Sequence, residues 1–476
     1  MFSKIVCRST FVFTVGLCLA VLPAVVTQAA DNYVVVFKGT KALTTDSMET
    51  IVAAGGNVVR RHDGIGVAIV SSDNANFAEQ MRQNSAVAEV IVDRKISLSG
   101  DFNEVVFEDS GIARNRGLRA LPTAQRTSLG GNLVTDPTQG DLYQFQWNLM
   151  IMDAESAWAT GALGDPDVTV AILDTGIDYL HQELAGRVDL DRSISFVPEV
   201  DALVEANFPG ANPIADTHNF GSYLAGLISC NAVRTACVAP NSTLVAVRVT
   251  DQDHNAIVSA MISGIVYASD IGSDVIVMTF PLFKLDLRIP EEAAMIDALD
   301  RAVQYAHSRG AILVSTVGPP GIDLDDADHE LVLNMPTETR KAVGITATNP
   351  LDGLSDITGF GLDAVDVAAP GGRFIDRVSP FTDSVLSVCS GFSLRNPECQ
   401  RPTPASPHRY LFAIGVLGAT AQAGGVAALI DGLYDGALHA NQLKKRLFDS
   451  TDDIGDPGFD HFFGHGRLNM YKASQQ

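Results

Sequence analysis

The residues best placed to do chemistry lie where apolar runs end. Asp174 closes the run VTVAILD and precedes Thr-Gly, so a carboxylate stands where a buried strand meets a turn. Ligands meet open parallel sheets at this edge. Taken alone, a carboxylate there can meet a ligand or be purely structural. Asp174 is therefore the first candidate functional residue.

A second stretch, GVLGATAQAGGVAAL over residues 415–429, opens on a turn glycine and continues in small residues, which is typical of a tightly packed helix. It looks like a catalytic segment without its reactive residue. Thr420 supplies a hydroxyl, but its type and place favour a helix residue bonded to its own backbone. The stretch raises the question of whether the chain is an enzyme or only has the fold of one.

Four cysteines form two close pairs, in CNAVRTAC and CSGFSLRNPEC. In an oxidising compartment the simplest arrangement is two local disulfides, Cys230 with Cys237 and Cys389 with Cys399. Zinc is the alternative, but neither pair has the short ligand spacing or the neighbouring histidines of a zinc site. We predict the disulfides.

The N-terminus predicts export. Residues 1–30 contain Lys4 and Arg8, then an apolar run, then the small residues of TQAA, which is the pattern of a cleavable signal peptide. A membrane anchor is disfavoured because Pro23 interrupts the run. No other stretch reaches the roughly 18 apolar residues of a spanning helix, so we expect no transmembrane segment after signal removal. The expected location is secreted or periplasmic.

Composition bounds the remaining possibilities. The chain has 476 residues, 46% of them hydrophobic, which is enough for more than one domain and a sizeable core. A formal net charge of −23 argues against a nucleic-acid partner, which would require a basic face. The acidity fits a well-solvated surface or acid-lined calcium sites.

The run pattern divides the exported chain into three parts. Residues 31–98 alternate short β-like and helical runs in the order β-α-β-β-α-β, which predicts a small α+β unit of the ferredoxin-like kind. Residues 99–140 lose periodicity and are predicted to be an exposed linker. From residue 141 to 476, strongly apolar runs recur between helical segments, which predicts an α/β domain with a parallel sheet covered on both faces.

Ordered motifs in residues 144–471 resemble those of the subtilisin-like serine proteases (peptidase family S8). VAILDTGIDYLHQEL resembles the aspartate motif, APNSTLVAVRVTD the strand after the histidine helix, ITGFGLDAVDVAAPGG a late family segment, and DPGFDHFFGHGRLNM the closing element. Residues 31–98 look like the inhibitory propeptide of such enzymes. The resemblance implies the subtilisin-like fold, and a serine, a histidine, an aspartate and an oxyanion-binding amide as the catalytic groups.

Only the aspartate of these groups is present at its motif position, as Asp174. The family's HGTHVAG corresponds to FGSYLAG over residues 220–226, and we expect Tyr223 at the position of the base. A phenol, with an ordinary pKa near 10, is a poor base at neutral pH. His218 lies five residues earlier and is expected to be a solvated loop residue. Leu417 occupies the serine position of GTSMATPHVAGVAAL and has no nucleophilic atom.

The oxyanion and substrate positions also differ from the family pattern. Pro319 stands where the family has the oxyanion asparagine, and proline has neither a side-chain amide nor a backbone N–H. The substrate-binding strand ends in Thr279, Phe280 and Pro281, so Pro281 replaces a glycine that would pair with a peptide backbone. One hydrogen-bond donor to the substrate is thereby lost.

These substitutions predict an exported pseudoprotease with a binding, regulatory or scaffolding role. The alternative is an active serine endopeptidase. The expected partners are a peptide or protein ligand and the chain's own N-terminal unit in the cleft. Chemistry would require no cofactor. Gln146 and Glu183 fall where relatives often place calcium ligands, so calcium is a weaker expectation, because the ion requires six to eight oxygens.

Overall fold

The computed structural model describes residues 31–39, 43–97, 104–107, 132–325, 331–373, 380–401 and 407–476. The expected signal peptide, residues 1–30, lies outside the described residues, as does most of the expected linker.

The N-terminal unit is an antiparallel sheet of four strands with two helices. Its elements follow in the predicted order β-α-β-β-α-β: β1 Asp31–Phe37, α1 Thr45–Ala53, β2 Asn57–His62, β3 Val67–Ser72, α2 Phe77–Arg82 and β4 Val87–Val92. The sheet order is β2-β3-β1-β4. One face of the sheet is closed by Ile51 of α1 together with Phe77 and Met81 of α2, all fully buried. The short strand β5, Lys95–Ile96, follows.

The second part of the chain is built around a sheet of nine strands in the order β19-β20-β16-β15-β13-β11-β7-β9-β8. The strands are β7 Thr169–Asp174, β8 Ile194–Ser195, β9 Thr243–Arg248, β11 Val275–Met278, β13 Ile312–Thr316, β15 Val343–Thr348, β16 Val367–Pro370, β19 Thr451–Asp452 and β20 Arg467–Leu468. All neighbours pair in parallel except β19 with β20. This is the predicted α/β fold.

Helices cover both faces of this sheet, as the near-continuous apolar runs require. The helices in this part are α3 Trp147–Ile151, α4 Ala154–Ala159, α5 Pro198–Asn207, α6 Phe220–Ile228, α7 Val258–Asp270, α8 Pro290–Ser308, α9 Pro380–Asp383, α10 Val416–Gly432, α11 Ala440–Asp449 and α12 Met470–Ala473. The fully buried α10 packs with α6 on one face, and α7 with α8 on the other. Among the described residues, none of these helices could cross a membrane.

Three smaller sheets complete the chain. They contain the remaining strands, β6 Glu104–Phe107, β10 Ala256–Ile257, β12 Leu282–Asp286, β14 Val332–Met335, β17 Val385–Cys389 and β18 Arg409–Ala413. β5 pairs with β10, β12 with β14, and β17, β18 and β6 form a three-stranded antiparallel sheet. The prediction of an aperiodic linker over 99–140 is therefore wrong for residues 104–107. These four residues form a strand because their backbone pairs with β18, and no local sequence pattern indicates that partner.

The N-terminal unit docks on α7 and α8. The guanidinium of Arg301 donates to the carbonyl oxygens of Phe37 at 2.8 Å and Ile65 at 3.2 Å. Nε2 of His62 lies 2.9 Å from the hydroxyl of Ser263, and burial lowers the pKa of His62 to about 4, which keeps the imidazole neutral in this contact. Gly64 faces the ring of Tyr305 so closely that a β-carbon would clash with it.

Candidate active-site cleft

Asp174 ends β7 at the carboxyl edge of the central sheet and is completely buried. One carboxylate oxygen accepts from the amide of Thr175 at 2.7 Å, and the other accepts from the hydroxyl of Thr279 at 2.8 Å. The same second oxygen lies 3.8 Å from Nε2 of His254. The structure therefore brings an imidazole to Asp174, but from a residue that the motif comparison did not select.

His254 belongs to the turn between β9 and β10. The carboxylate of Asp251 accepts the amides of Asp253 and Asn255, at 3.0 and 2.8 Å, and this fixes the turn. His254 has a φ of 60°, which is uncommon for a side-chain-bearing residue. Its ring packs against those of Phe220 and Phe280, with centroids 4.6 and 5.9 Å away. The signal in the sequence is weak, because it consists only of a histidine in an Asp-rich turn directly after a buried strand.

His218 is buried rather than solvated, so the prediction of a solvated loop histidine is wrong. Its Nε2 lies 2.9 Å from Nη1 of Arg395, and its ring centroid lies 5.5 Å from that of His254. Since arginine can only donate, Nε2 accepts and the ring proton belongs on Nδ1. Burial holds the pKa of His218 well below its ordinary value, and the charges of His254 and Arg395 lower it further. His218 is thus a neutral imidazole.

Tyr223 does not occupy the neighbourhood of Asp174. Its hydroxyl donates to the carbonyl oxygen of Val385 at 3.1 Å and lies against Gly418, on the side of α6 that faces α10 and β17. The aromatic side chain of α6 that joins the Asp174–His254 group is Phe220, the first residue of the helix. The expectation that Tyr223 lies beside the aspartate is therefore wrong, and the side chain of α6 found there is Phe220, which has no ionisable atom.

Leu417 lies in the first turn of α10, 2% exposed, within the large core cluster. The helix begins at the same edge of the sheet as Asp174, because the amide of Gly415 donates to the carbonyl of Gly371, one residue beyond β16. Thr420 donates its hydroxyl to the carbonyl of Val416 at 3.1 Å, the bond expected of a helix residue. No nucleophilic side chain occupies the first turn of α10.

The oxyanion and substrate positions lie at the same edge. Pro319 follows β13 by three residues and is half-buried. Thr279, Phe280 and Pro281 follow β11 and are buried. The hydroxyl of Thr279 is engaged with Asp174, and its carbonyl oxygen accepts from Thr316 at 3.2 Å. Both groups of Thr279 are thus bonded within the chain.

The two residues considered for calcium bind backbone groups instead. The carboxylate of Glu183 accepts the amides of Val233, Arg234 and Thr235 at 2.8–3.2 Å and the hydroxyl of Tyr410 at 2.8 Å. Gln146 exchanges two hydrogen bonds with the backbone of Ala236. N–H and O–H donors that surround a carboxylate do not ligate a cation, so these residues do not fit a calcium ion.

Burial raises the pKa of the Glu183 carboxyl, and its four donors act in the opposite direction. Burial and the proximity of Glu183 also raise the pKa of Tyr410 well above its ordinary value. The structure contains both predicted disulfides, Cys230–Cys237 and Cys389–Cys399, and the first closes the loop that Glu183 holds.

A nine-stranded sheet covered by helices, with a buried aspartate at its carboxyl edge and a glycine-led core helix beside it, defines the class: a subtilisin-like α/β protein. The model of the subtilase family matches residues 165–466. The chain therefore belongs to the subtilase family.

Relatives and solved structures agree with this assignment. The chain is 27% identical to the thermophilic serine proteinase of Bacillus sp. (strain AK1) over 344 residues, 71% of this chain and 69% of that protein. It is 27% identical to thermitase of Thermoactinomyces vulgaris over 306 residues, 64% and 88% of the two chains. The epidermin leader peptide processing serine protease (EpiP) of Staphylococcus aureus superposes with a TM-score of 0.71 at 21% identity, over 94% of this chain and 98% of that one, which shows the fold.

Proposed function

We propose that this chain is an exported subtilisin-like pseudoprotease, a protein that binds through the former cleft and does not cleave peptides. The observation that carries the proposal is Leu417, a buried aliphatic side chain in the first turn of α10. Loss of the nucleophile or the base costs about 10⁶ in rate in a site of this kind. Loss of one oxyanion donor costs about 10²–10³.

Two further features support the proposal. Phe220 in the Asp174 group has no proton-accepting atom, and Pro319 has no N–H to offer an oxyanion. His254 and His218 do supply imidazoles, but the hydroxyl nearest Asp174, that of Thr279, already donates to the carboxylate. A reaction would therefore need a mechanism unrelated to that of the family.

Active endopeptidase chemistry is the second candidate. It is favoured by the retained Asp174, by the 3.8 Å separation of Asp174 and His254, and by relatives that carry the names of proteases. In this case His254 would be the base, and the nucleophile would lie outside the first turn of α10.

A fluorophosphonate probe, which labels activated hydroxyls, discriminates between the two functions. We expect no labelling and no turnover of casein by the purified wild-type chain. Leu417→Ser alone should also stay unlabelled, because Phe220 in the Asp174 group has no proton-accepting atom and Pro319 has no N–H for an oxyanion. An active relative such as thermitase serves as the positive control. Labelling of the wild type, abolished by His254→Ala and not by Thr420→Ala, would establish the endopeptidase.

We further propose that residues 1–30 are removed on export and that residues 31–98 remain attached, because self-cleavage would need the missing groups. The predicted linker, residues 99–140, is the expected place for a different protease to cut. The measurement is the intact mass of protein made in a host without extracellular proteases. A mass that corresponds to signal removal alone supports the proposal. Prompt, concentration-independent cleavage near residue 100 or 140 would contradict it.

A further inference from the structure

The chain that leaves the N-terminal unit is fixed first on the Asp174 side of the cleft. Ile96 pairs with Ala256 and Lys95 with Ile257, which places β5 against β10, two residues beyond His254. The ammonium of Lys95 lies 2.9 Å from Asp251 and 3.1 Å from Glu199. β5 is thereby held by backbone pairing and by charge.

The same chain is fixed a second time on the Leu417 side. β6 pairs antiparallel with β18 over four residues, from Glu104 opposite Ala413 to Phe107 opposite Tyr410. On its other side β18 pairs with β17. Without β6, therefore, β18 would be an edge strand with a row of unpaired N–H and C=O groups. From Ala413 the chain runs within four residues to Leu417.

The edge of β18 is rigid. Leu411 and Ala413 are buried in the large core cluster on one face, and Tyr410 and Phe412 are buried with Leu142 and Leu386 on the other. A strand fixed on both faces presents its backbone in the geometry that an added strand needs, so little ordering cost opposes binding. The two fixed points, Ile96 and Glu104, are eight residues apart, a span of at most about 28 Å.

We propose that the edge of β18 is a strand-addition site for an extended peptide, and that Glu104–Phe107 is its resident occupant. The ligand class is a proline-free segment rich in β-branched or aromatic residues, such as the resident EVVF, bound through main-chain hydrogen bonds. A free peptide must compete with a tethered strand whose effective concentration is about millimolar. The inference rests on the proposed function, because self-cleavage between β5 and β6 would release one end of the occupant.

Hydrogen exchange of the intact chain tests the pairing. A strand paired on one side has alternate amides free, whereas a strand paired on both sides has every amide bonded. We expect slow exchange at all of residues 410–413 in the wild type. Val105→Pro with Val106→Pro should release the amides of β18 that face β6 and leave those that face β17 slow. Ala113→Pro, in the same predicted linker but not among residues 104–107, is the matched control and should exchange like the wild type.

Binding of a labelled peptide tests the site. The probe is residues 101–110, DFNEVVFEDS, with a copy carrying proline at both valines as the control peptide. We expect the double-proline chain to bind the probe at least about tenfold more tightly than the wild type or Ala113→Pro, and no chain to bind the proline copy. Equal weak binding by all chains, or fast alternate amides in wild-type β18, would overturn the proposal. Intact mass is recorded first. A cut linker would contradict the proposed function, whereas the binding results test the strand-addition site.

Discussion

Two buried carboxylates, Asp174 and Glu183, show how differently a family position can be used. Asp174 stands at the motif position of a catalytic residue, yet one backbone amide and one threonine hydroxyl are its two bonded donors. Glu183, at a position considered for a metal ligand, is surrounded by three amides and a phenol. Each carboxylate has donors supplied by the chain itself. The retention of an acidic residue therefore does not by itself indicate catalysis or metal binding.

The largest effect is expected at Glu183. In Glu183→Gln one carboxylate oxygen becomes an NH₂ group, which cannot accept from the backbone amides that the carboxylate binds. We expect a loss of about 3 kcal/mol in the free energy of unfolding. The measurement is the denaturant midpoint. Glu398→Gln, an exposed carboxylate, is the matched control and should be neutral within about 0.5 kcal/mol. A midpoint unchanged by Glu183→Gln would mean that the hydrogen bonds of Glu183 contribute nothing to stability. The calcium dependence of stability would then be measured.

The second prediction uses a carboxyl with fewer donors. Asp274 accepts one amide, that of Thr169, at 2.8 Å, and burial together with the nearby Asp431 raises the pKa of Asp274 to about 7. In the unfolded chain it ionises near 3.8. Ionisation therefore opposes folding, and stability that is complete below about pH 4 is lost as the pH rises through 7. After allowance for partial exposure of Asp274, we expect the free energy of unfolding to fall by about 2 kcal/mol over this range.

Asp274→Asn removes this titration, so its stability relative to the wild type should rise between pH 4 and pH 8. The measurement is the urea midpoint of both chains across that range, with Asp300→Asn as the comparison at a half-buried carboxyl whose pKa burial also raises. Parallel plots of urea midpoint against pH for wild type and Asp274→Asn would show that ionisation of Asp274 does not destabilise the fold. The number of hydrogen-bond donors would then not determine the effect of a carboxyl on stability.

Sequence reasoning was strongest where the information is local. Every apolar run used to predict the central sheet became a strand, from β7 through β16, because burial on both faces leaves an unmistakable apolar pattern. The cysteine pairs were predictable for the same reason, since each closes a loop within one segment.

Contacts between distant segments were not predictable. β6 extends only because β18 is there, and nothing in EVVF specifies that partner. His254 reaches Asp174 through a turn with positive φ, so no motif spacing could select it. The sequence comparison selects Tyr223, whereas Phe220, one helical turn earlier, lies beside His254. Matching FGSYLAG to the family motif does not show which of its two aromatic residues faces Asp174.

The third prediction concerns the loop that Glu183 holds. Its disulfide spans 7 residues of sequence, so the chain-entropy contribution is about 2 kcal/mol. Cys230→Ala with Cys237→Ala should lower the free energy of unfolding by that amount, measured from the denaturant midpoint. The fold should stay intact, since the Glu183 and Gln146 bonds to the loop remain. Cys389→Ala with Cys399→Ala gives the comparison for a loop in which a buried carboxylate, that of Asp178, accepts one amide, that of Gly391. If Cys230→Ala with Cys237→Ala unfolds without denaturant, the disulfide, and not Glu183 and Gln146, is the main restraint on this loop.

The smallest effect is expected at Asp174. In Asp174→Asn the amide oxygen can still accept from Thr175, and the hydroxyl of Thr279 can rotate to accept from the new NH₂ group. We expect a change of about 1 kcal/mol or less. Thermal unfolding measures it, with Thr279→Val as the control that removes the hydroxyl. A loss as large as that of Glu183→Gln would show that the charge of Asp174, and not only its shape, is needed.

The packing of the N-terminal sheet on α7 and α8 has a consequence for how the chain is made. β4 ends at Val92 and α8 ends at Ser308, so roughly 200 residues must follow the sheet before its partner helices are complete. At about 5–20 residues per second this takes roughly 10–40 s. Meanwhile the face that carries Val34, Val36 and Ile69 stays bare to solvent. Nascent chains of this protein should therefore depend on a chaperone, and truncation before residue 308 should yield aggregates.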